Sequence, residues 1–184
     1  MERLNLKARS DNYGSRFERR HSIVLAYAVP WLSIVLGSVV PTFVLATALP
    51  VMPPLGFITF LAWRMVRPGL LPVWAGVPFG LVDDLFNGQP FGFAILFWSL
   101  AMIALDALET WFPWRSFALD WITSAAVIVL YIFAGTVVSG AVLSAPLFVA
   151  TLPQIVLSVL AVPLVARLVG ALDRARLRRW KIVR

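Results

Sequence analysis

The 184-residue chain has no cysteine and one histidine. The first absence excludes disulfides, thiolate nucleophiles and cysteine metal sites, and leaves the redox compartment unspecified. The second leaves only His21, at the edge of an apolar run, which excludes a histidine-rich metal centre by counting and is a poor position for the base of a catalytic triad. Charge is scarce too. Only 14% of the residues are charged against 60% hydrophobic, and the mean hydropathy of +0.86 is far above what a soluble domain requires. Two stretches, Ser22 to Trp63 and Trp121 to Ala166, carry no charge at all. Each is about twice the ~20 residues that cross a bilayer core as a helix, so each must fold back on itself. The composition is that of an all-α integral membrane protein.

Proline divides the chain into segments. Pro41, Pro50, Pro53 and Pro54 split the first run into helix 1, at about 22–42, and helix 2, at about 50–66. A short third segment, 70–87, ends in two adjacent carboxylates. Helix 4 is expected over about 90–111 and helix 5 over about 117–138. The turn "SGAVLSAP" at 139–146 leads to helix 6, about 145–171. Around this bundle (22–171) lie a polar leader, 1–21, and a basic tail, 172–184. A cleaved signal peptide does not fit the leader, because the apolar run continues past any plausible cleavage site.

Basic residues test this layout, since short cytoplasmic loops hold the Lys and Arg excess of membrane proteins. Six crossings from a cytoplasmic N-terminus put the leader, Arg64, Arg67, Arg115 and the cluster Arg167 to Arg184 on one side, which accounts for all 16 basic residues. The net charge of +7 therefore reports orientation and attraction to anionic lipid, not nucleic acid. Trp63, Trp74, Trp111, Trp114, Trp121 and Trp180 fall near the same boundary, where indole favours the interface. Pro153 and Pro163 are expected to kink helix 6.

The stretch "GVPFGLVDDLFNGQPFG", 76–92, is the most informative. Successive helical residues point about 100° apart, so one of Asp83 and Asp84 is expected to face inward and the other to reach water or a headgroup. Asp84 is the expected inward member. Two readings stay open for it: its carboxylate accepts hydrogen bonds from the Asn87–Gly88 turn or the start of helix 4, or it lines a polar cleft that binds a partner helix or passes a proton. Gly76 and Gly80 form a small-residue stripe suited to close helix approach, Gly88 and Gly92 repeat the spacing, and Pro90 suits the first turn of helix 4. Asp106 and Glu109 share a face of helix 4, either as a proton path or with Asp106 paired to Arg64, Arg67 or Arg115 and Glu109 at the interface. Asp120 is placed to cap or complement the start of helix 5. Adjacent Asp83 and Asp84 cannot face each other as a protease dyad must.

With Gly80, Leu81, Asp84, Gly88, Pro90 and Gly92 in these positions, the stretch resembles the hallmark motif of the MreD family, bacterial rod shape-determining membrane proteins. "WRMVRPGLLP" at 63–72 looks like the link that precedes the motif in proteobacterial relatives. Asp83 is a departure, standing where many relatives have an apolar or aromatic residue. The resemblance implies a non-enzymatic subunit of the inner membrane, without metal or cofactor, that binds MreC and couples the MreB cytoskeleton to the wall-synthesising pair of RodA and a class B penicillin-binding protein. A groove along Gly76 and Gly80 would then accept the MreC transmembrane helix. The family is similar in fold to substrate-binding subunits of energy-coupling-factor transporters. The alternative function is therefore vitamin-type ligand binding, with Asp84 and nearby tryptophans lining a pocket. Helix 1 lacks the alanine-x-x-x-alanine docking spacing of such subunits, since Ala26 is followed by Pro30 and Ala28 by Leu32.

Overall fold

The computed structural model describes residues 23–44, 52–112, 116–142 and 144–177. The leader 1–21, Trp114, Arg115, Trp180 and the rest of the tail from residue 178 lie outside the described residues. Among the described residues all regular structure is helical: α1 (Ile23–Val44), α2 (Leu55–Val66), α3 (Gly76–Phe86), α4 (Phe93–Trp111), α5 (Phe117–Val138) and α6 (Ala145–Arg176), with a 3-10 turn at Val73–Ala75 leading into α3. Three of them, α4, α5 and α6, are long and apolar enough to cross a membrane.

The boundaries depart from six similar spans, and proline and glycine explain most of the differences. Consecutive Pro53 and Pro54 push the backbone before them out of the helical region, so α2 starts at Leu55. Pro68, Gly69 at φ +75° and Pro72 keep 67–72 out of helix, and α3 starts at Gly76. The result is two short helices of 12 and 11 residues, about 18 and 16 Å long against a hydrocarbon core of about 30 Å. At the other extreme α6 runs past 171 to Arg176 through both Pro153 and Pro163. Pro163 has no N–H to give the Val159 carbonyl four residues back, and the Trp121 indole N–H donates to that carbonyl instead, at 3.2 Å.

Short α2 is the axis of the bundle. Phe57, Ile58, Phe60, Leu61, Ala62 and Trp63 are all buried, against α1, α5, α6 and the α4 rings Phe97 and Trp98. Trp63 is therefore a core residue and not an interfacial anchor: its indole N–H donates to Ser33 Oγ at 2.8 Å, and its ring lies under the Arg176 guanidinium. Trp74 and Trp111, by contrast, are exposed. Close approach of α1 and α2 depends on glycine, because a Cβ on Gly56 would fall 1.9 Å from Ser38 Oγ and one on Gly37 would fall 3.0 Å from the Gly56 Cα. Contact of this kind supplies van der Waals packing, which drives helix association where lipid is as apolar as leucine.

Ion pairs gather the C-terminal ends of α2, α4 and α6. Arg64, with its side chain 3% exposed, sits 2.9 Å from Glu109 and 3.5 Å from Asp106. Arg67 and Arg176 converge on buried Asp173 at 3.0 and 2.7 Å. Residues 172–176 are thus the packed end of α6 and not part of a free tail. Arg167 and Arg174 line a cleft with Met65 and Val66 at this same end. All the described arginines therefore collect at one end of the bundle, as helices of alternating direction require.

Replacing Gly56 with alanine is expected to push α1 from α2 and lower stability by about 2 kcal/mol. The midpoint of unfolding in a mixed-micelle detergent titration measures it.

Candidate functional site

The start of α4 poses a hydrogen-bonding problem that α3 solves. Its N-cap is Gly92, at φ +93°, which has no side chain to accept from the first turn. An α-helix leaves its first N–H groups without intrahelical acceptors, and inside a protein or lipid no water replaces them. Asp84 fills the role from the preceding helix. Its Oδ1 accepts from Ala94 N–H at 2.8 Å, and its Oδ2 accepts from Gly92 N–H at 2.9 Å and Ile95 N–H at 3.2 Å. The remaining N–H, of Phe93, goes to the Pro90 carbonyl at 3.0 Å, and Leu96 N–H begins the helical ladder on Gly92. Every N–H from Gly92 to Leu96 is accounted for, and a negative charge sits where the helix dipole favours one.

Asp84 reaches α4 because Gly76 and Gly80, one and two turns earlier on the same stripe, remove the side chains that would hold the helices apart. A Cβ on Gly76 would lie 2.8 Å from Ser99 Cα, and one on Gly80 would lie 2.6 Å from the Ala94 carbonyl oxygen. The stripe is therefore filled by α4 of the same chain, which corrects the expectation of an open groove for a partner helix. Gly88 and Gly92 are corrected as well: a Cβ at either position would meet nothing, but both have positive φ, +65° and +93°. They serve the turn and not a packed stripe. Pro90 lies in that turn, before α4 begins at Phe93, and not in the helix's first turn. Leu81 points outward with Val77 and Leu85.

Asp83 does not reach water or a headgroup. It is buried as completely as Asp84, because α3 is wedged between α1 and α4 while Tyr131 of α5 closes over it. The 100° between the two carboxylates directs them to different neighbours inside the protein. Tyr131 O–H donates to Asp83 Oδ2 at 2.6 Å, and the Asn87 amide donates to Oδ1 at 2.5 Å. Gln89 lies 3.1 Å from the Tyr131 hydroxyl. Around the phenol stand Phe57, Phe93 and Phe97, with ring centroids 4.6, 5.5 and 5.2 Å away. Thr42 near the end of α1 comes within 3.3 Å of the Phe86 carbonyl and joins α1 to the same turn. Tyr131 is the residue of this cluster that sequence reasoning missed. Its signal was slight, a single phenol in the second charge-free run.

Asp106 and Glu109 are at the opposite end and form no part of this cluster. Both face Arg64, so Glu109 is an ion-pair partner and not simply an interfacial side chain, and the pair balances a buried guanidinium. At the start of α5 the N-cap is Ser116, accepting from Leu119 N–H at 3.4 Å, while Asp120 stands in the first turn.

Taken together, the 76–92 stretch is a helical hairpin whose two carboxylates are both engaged by donors of the same chain. Replacing Asp84 with alanine is expected to cost about 3 kcal/mol, since it strips a charged acceptor from several backbone donors, and Tyr131→Phe about 1 kcal/mol. Unfolding midpoints of the two variants, with Asp84→Ala the lower, measure this order. No family model, curated protein or solved structure matches the chain, so the role of the hairpin is read from its own geometry.

Proposed function

We propose that the chain is a multi-pass scaffold of the bacterial inner membrane, of the MreD type. It crosses the bilayer six times with its arginine-bearing end and both termini in the cytoplasm. In this reading it binds MreC and couples MreB to RodA and a class B penicillin-binding protein during cell elongation. The observation that carries the reading is the consumption of the acidic motif by the α3–α4 hairpin: Asp84 caps α4 and Asp83 is held by Tyr131 and Asn87. A motif spent on holding two helices together suits a protein that works through its packing surfaces. The short α2 and α3 fit six crossings because irregular backbone is tolerated at membrane depth where protein encloses it, and α2 is enclosed on all sides by longer helices.

The vitamin-binding alternative has less support. It needs Asp84 to face a ligand, whereas its oxygens are occupied by three backbone N–H groups.

Depleting the protein in its host is expected to give rounded cells with dispersed wall synthesis, and affinity purification from detergent extracts is expected to recover MreC with it. Normal cell shape together with a vitamin requirement would overturn the scaffold in favour of uptake.

A further inference from the structure

The arginine-bearing end of the bundle holds a cleft that the scaffold reading does not use. It has a volume of about 470 Å³ and is walled by the C-terminal end of α2 (Met65, Val66), the start of α5 (Phe117, Asp120) and the last third of α6. From α6 come Pro163, Ala166, Arg167, Gly170 and Arg174. Arg167, Gly170 and Arg174 are spaced three and four apart and so share one face of the helix. Both arginines are exposed, and among the described residues neither makes an ion pair, unlike Arg64, Arg67 and Arg176 at the same end. Arg174 folds back along α6 until its Nη1 lies 3.7 Å from the position of a Cβ on Gly170. Arg174 Nη1 therefore lies over Gly170, where α6 presents no side chain to the cleft.

Positive potential in the cleft has a second source. Phe117 is the first residue of α5, whose initial N–H groups precede the first ladder bond, from Asp120 N–H to the Ser116 carbonyl. Ser116 Oγ takes only that of Leu119. A helix start of this kind adds partial positive charge to the two arginines. The one carboxylate on the wall, Asp120, is already engaged, and the lining carries an excess of one positive charge. Met65, Val66, Pro163 and Ala166 complete an apolar side continuous with the bundle surface.

We propose that this cleft holds one anionic phospholipid, with its phosphodiester between Arg167 and Arg174 and an acyl chain along the apolar wall. Guanidinium matches phosphate oxygens in geometry and charge, and a phospholipid brings an acyl chain for the apolar side together with the phosphate for the charged one. The lipid would fill the gap between α2, α5 and α6 where these helices end. The inference rests on the membrane-embedded part of the proposed function and not on the rod-complex partners, so the depletion phenotype and lipid binding can fail separately.

Native mass spectrometry of the full-length protein in detergent, titrated with phosphatidylglycerol, tests it. Wild type is expected to retain one lipid more tightly than any that follow. Arg167→Ala with Arg174→Ala should weaken that first lipid about 30-fold, as two arginines at a membrane surface contribute. Gly170→Leu, which fills the cleft but keeps both charges, should weaken it too. Arg19→Ala with Arg20→Ala, which removes the same charge from the leader, should leave it unchanged. Equal loss in the leader variant, wild-type binding by Gly170→Leu, equal retention of phosphatidylcholine, or displacement by inorganic phosphate would each overturn the proposal. Unchanged unfolding midpoints of the variants establish that lost binding is not lost folding.

Discussion

The capping of α4 by Asp84 is the constraint on which the 76–92 region depends. A helix that begins away from water must find acceptors for its first N–H groups, and each one left unpaired costs several kcal/mol in a hydrocarbon surrounding. The turn before α4 needs positive φ at Gly92, where glycine is the residue best suited, and glycine cannot cap. A side chain from elsewhere is required, and it must arrive at hydrogen-bond distance. That demand reaches back along α3: Asp84 touches the first turn of α4 only if the helices nearly meet, and they nearly meet only if residues 80 and 76 have no side chain. Gly76, Gly80, Asp84, Gly88 and Gly92 are five consequences of one hydrogen-bonding problem.

The two ends of the bundle solve the burial of polar groups differently. At the hairpin end, neutral donors meet carboxylates: backbone N–H groups on Asp84, a phenol and an amide on Asp83. At the other end, guanidinium groups meet carboxylates, with Arg64 between Asp106 and Glu109 and Asp173 between Arg67 and Arg176. The ion pairs tie the end of short α2 to those of the longer α4 and α6, and Arg176 also covers the Trp63 ring at 5.1 Å. Such pairs fix position more than they add stability, because the cost of desolvating the charges cancels much of their attraction. Between the ends, α2 holds the aromatic core in place without itself being long enough to span a bilayer.

Much of this architecture was legible in the residues. Apolar runs and proline positions located six helices, Asp84 was the expected inward carboxylate, and Arg64 was one of three arginines open to Asp106, whereas Glu109 as the nearer partner of Arg64 was not foreseen. What could not be read was which surface each face would meet. A one-dimensional pattern shows that Gly76 and Gly80 permit close approach but not that α4 occupies the place, and it shows two carboxylates 100° apart without showing protein on both sides of α3. Tyr131 was invisible for a related reason: its partner lies 48 residues away in sequence, and nothing local marks the phenol as a donor to Asp83. Trp63 looked like an interfacial anchor because it adjoins Arg64, yet α2 lies so deep that both are buried.

A hairpin held this tightly has a consequence for how such a protein can act. Helices associate in lipid through packing, so a partner recognises shape, and shape is specific only where the backbone does not shift. Asp84 fixes the angle at which α4 leaves the turn, Asp83 and Tyr131 fix α3 against α5, and Thr42 brings the end of α1 to the same turn. Four helices are thereby set rigidly relative to one another at one end of the bundle. Their outward residues, Val77, Leu81 and Leu85 on α3 among them, form a surface of fixed contour although each is only an exposed apolar side chain. In the proposed scaffold the buried acids would thus act indirectly, by holding still the surface that a partner meets.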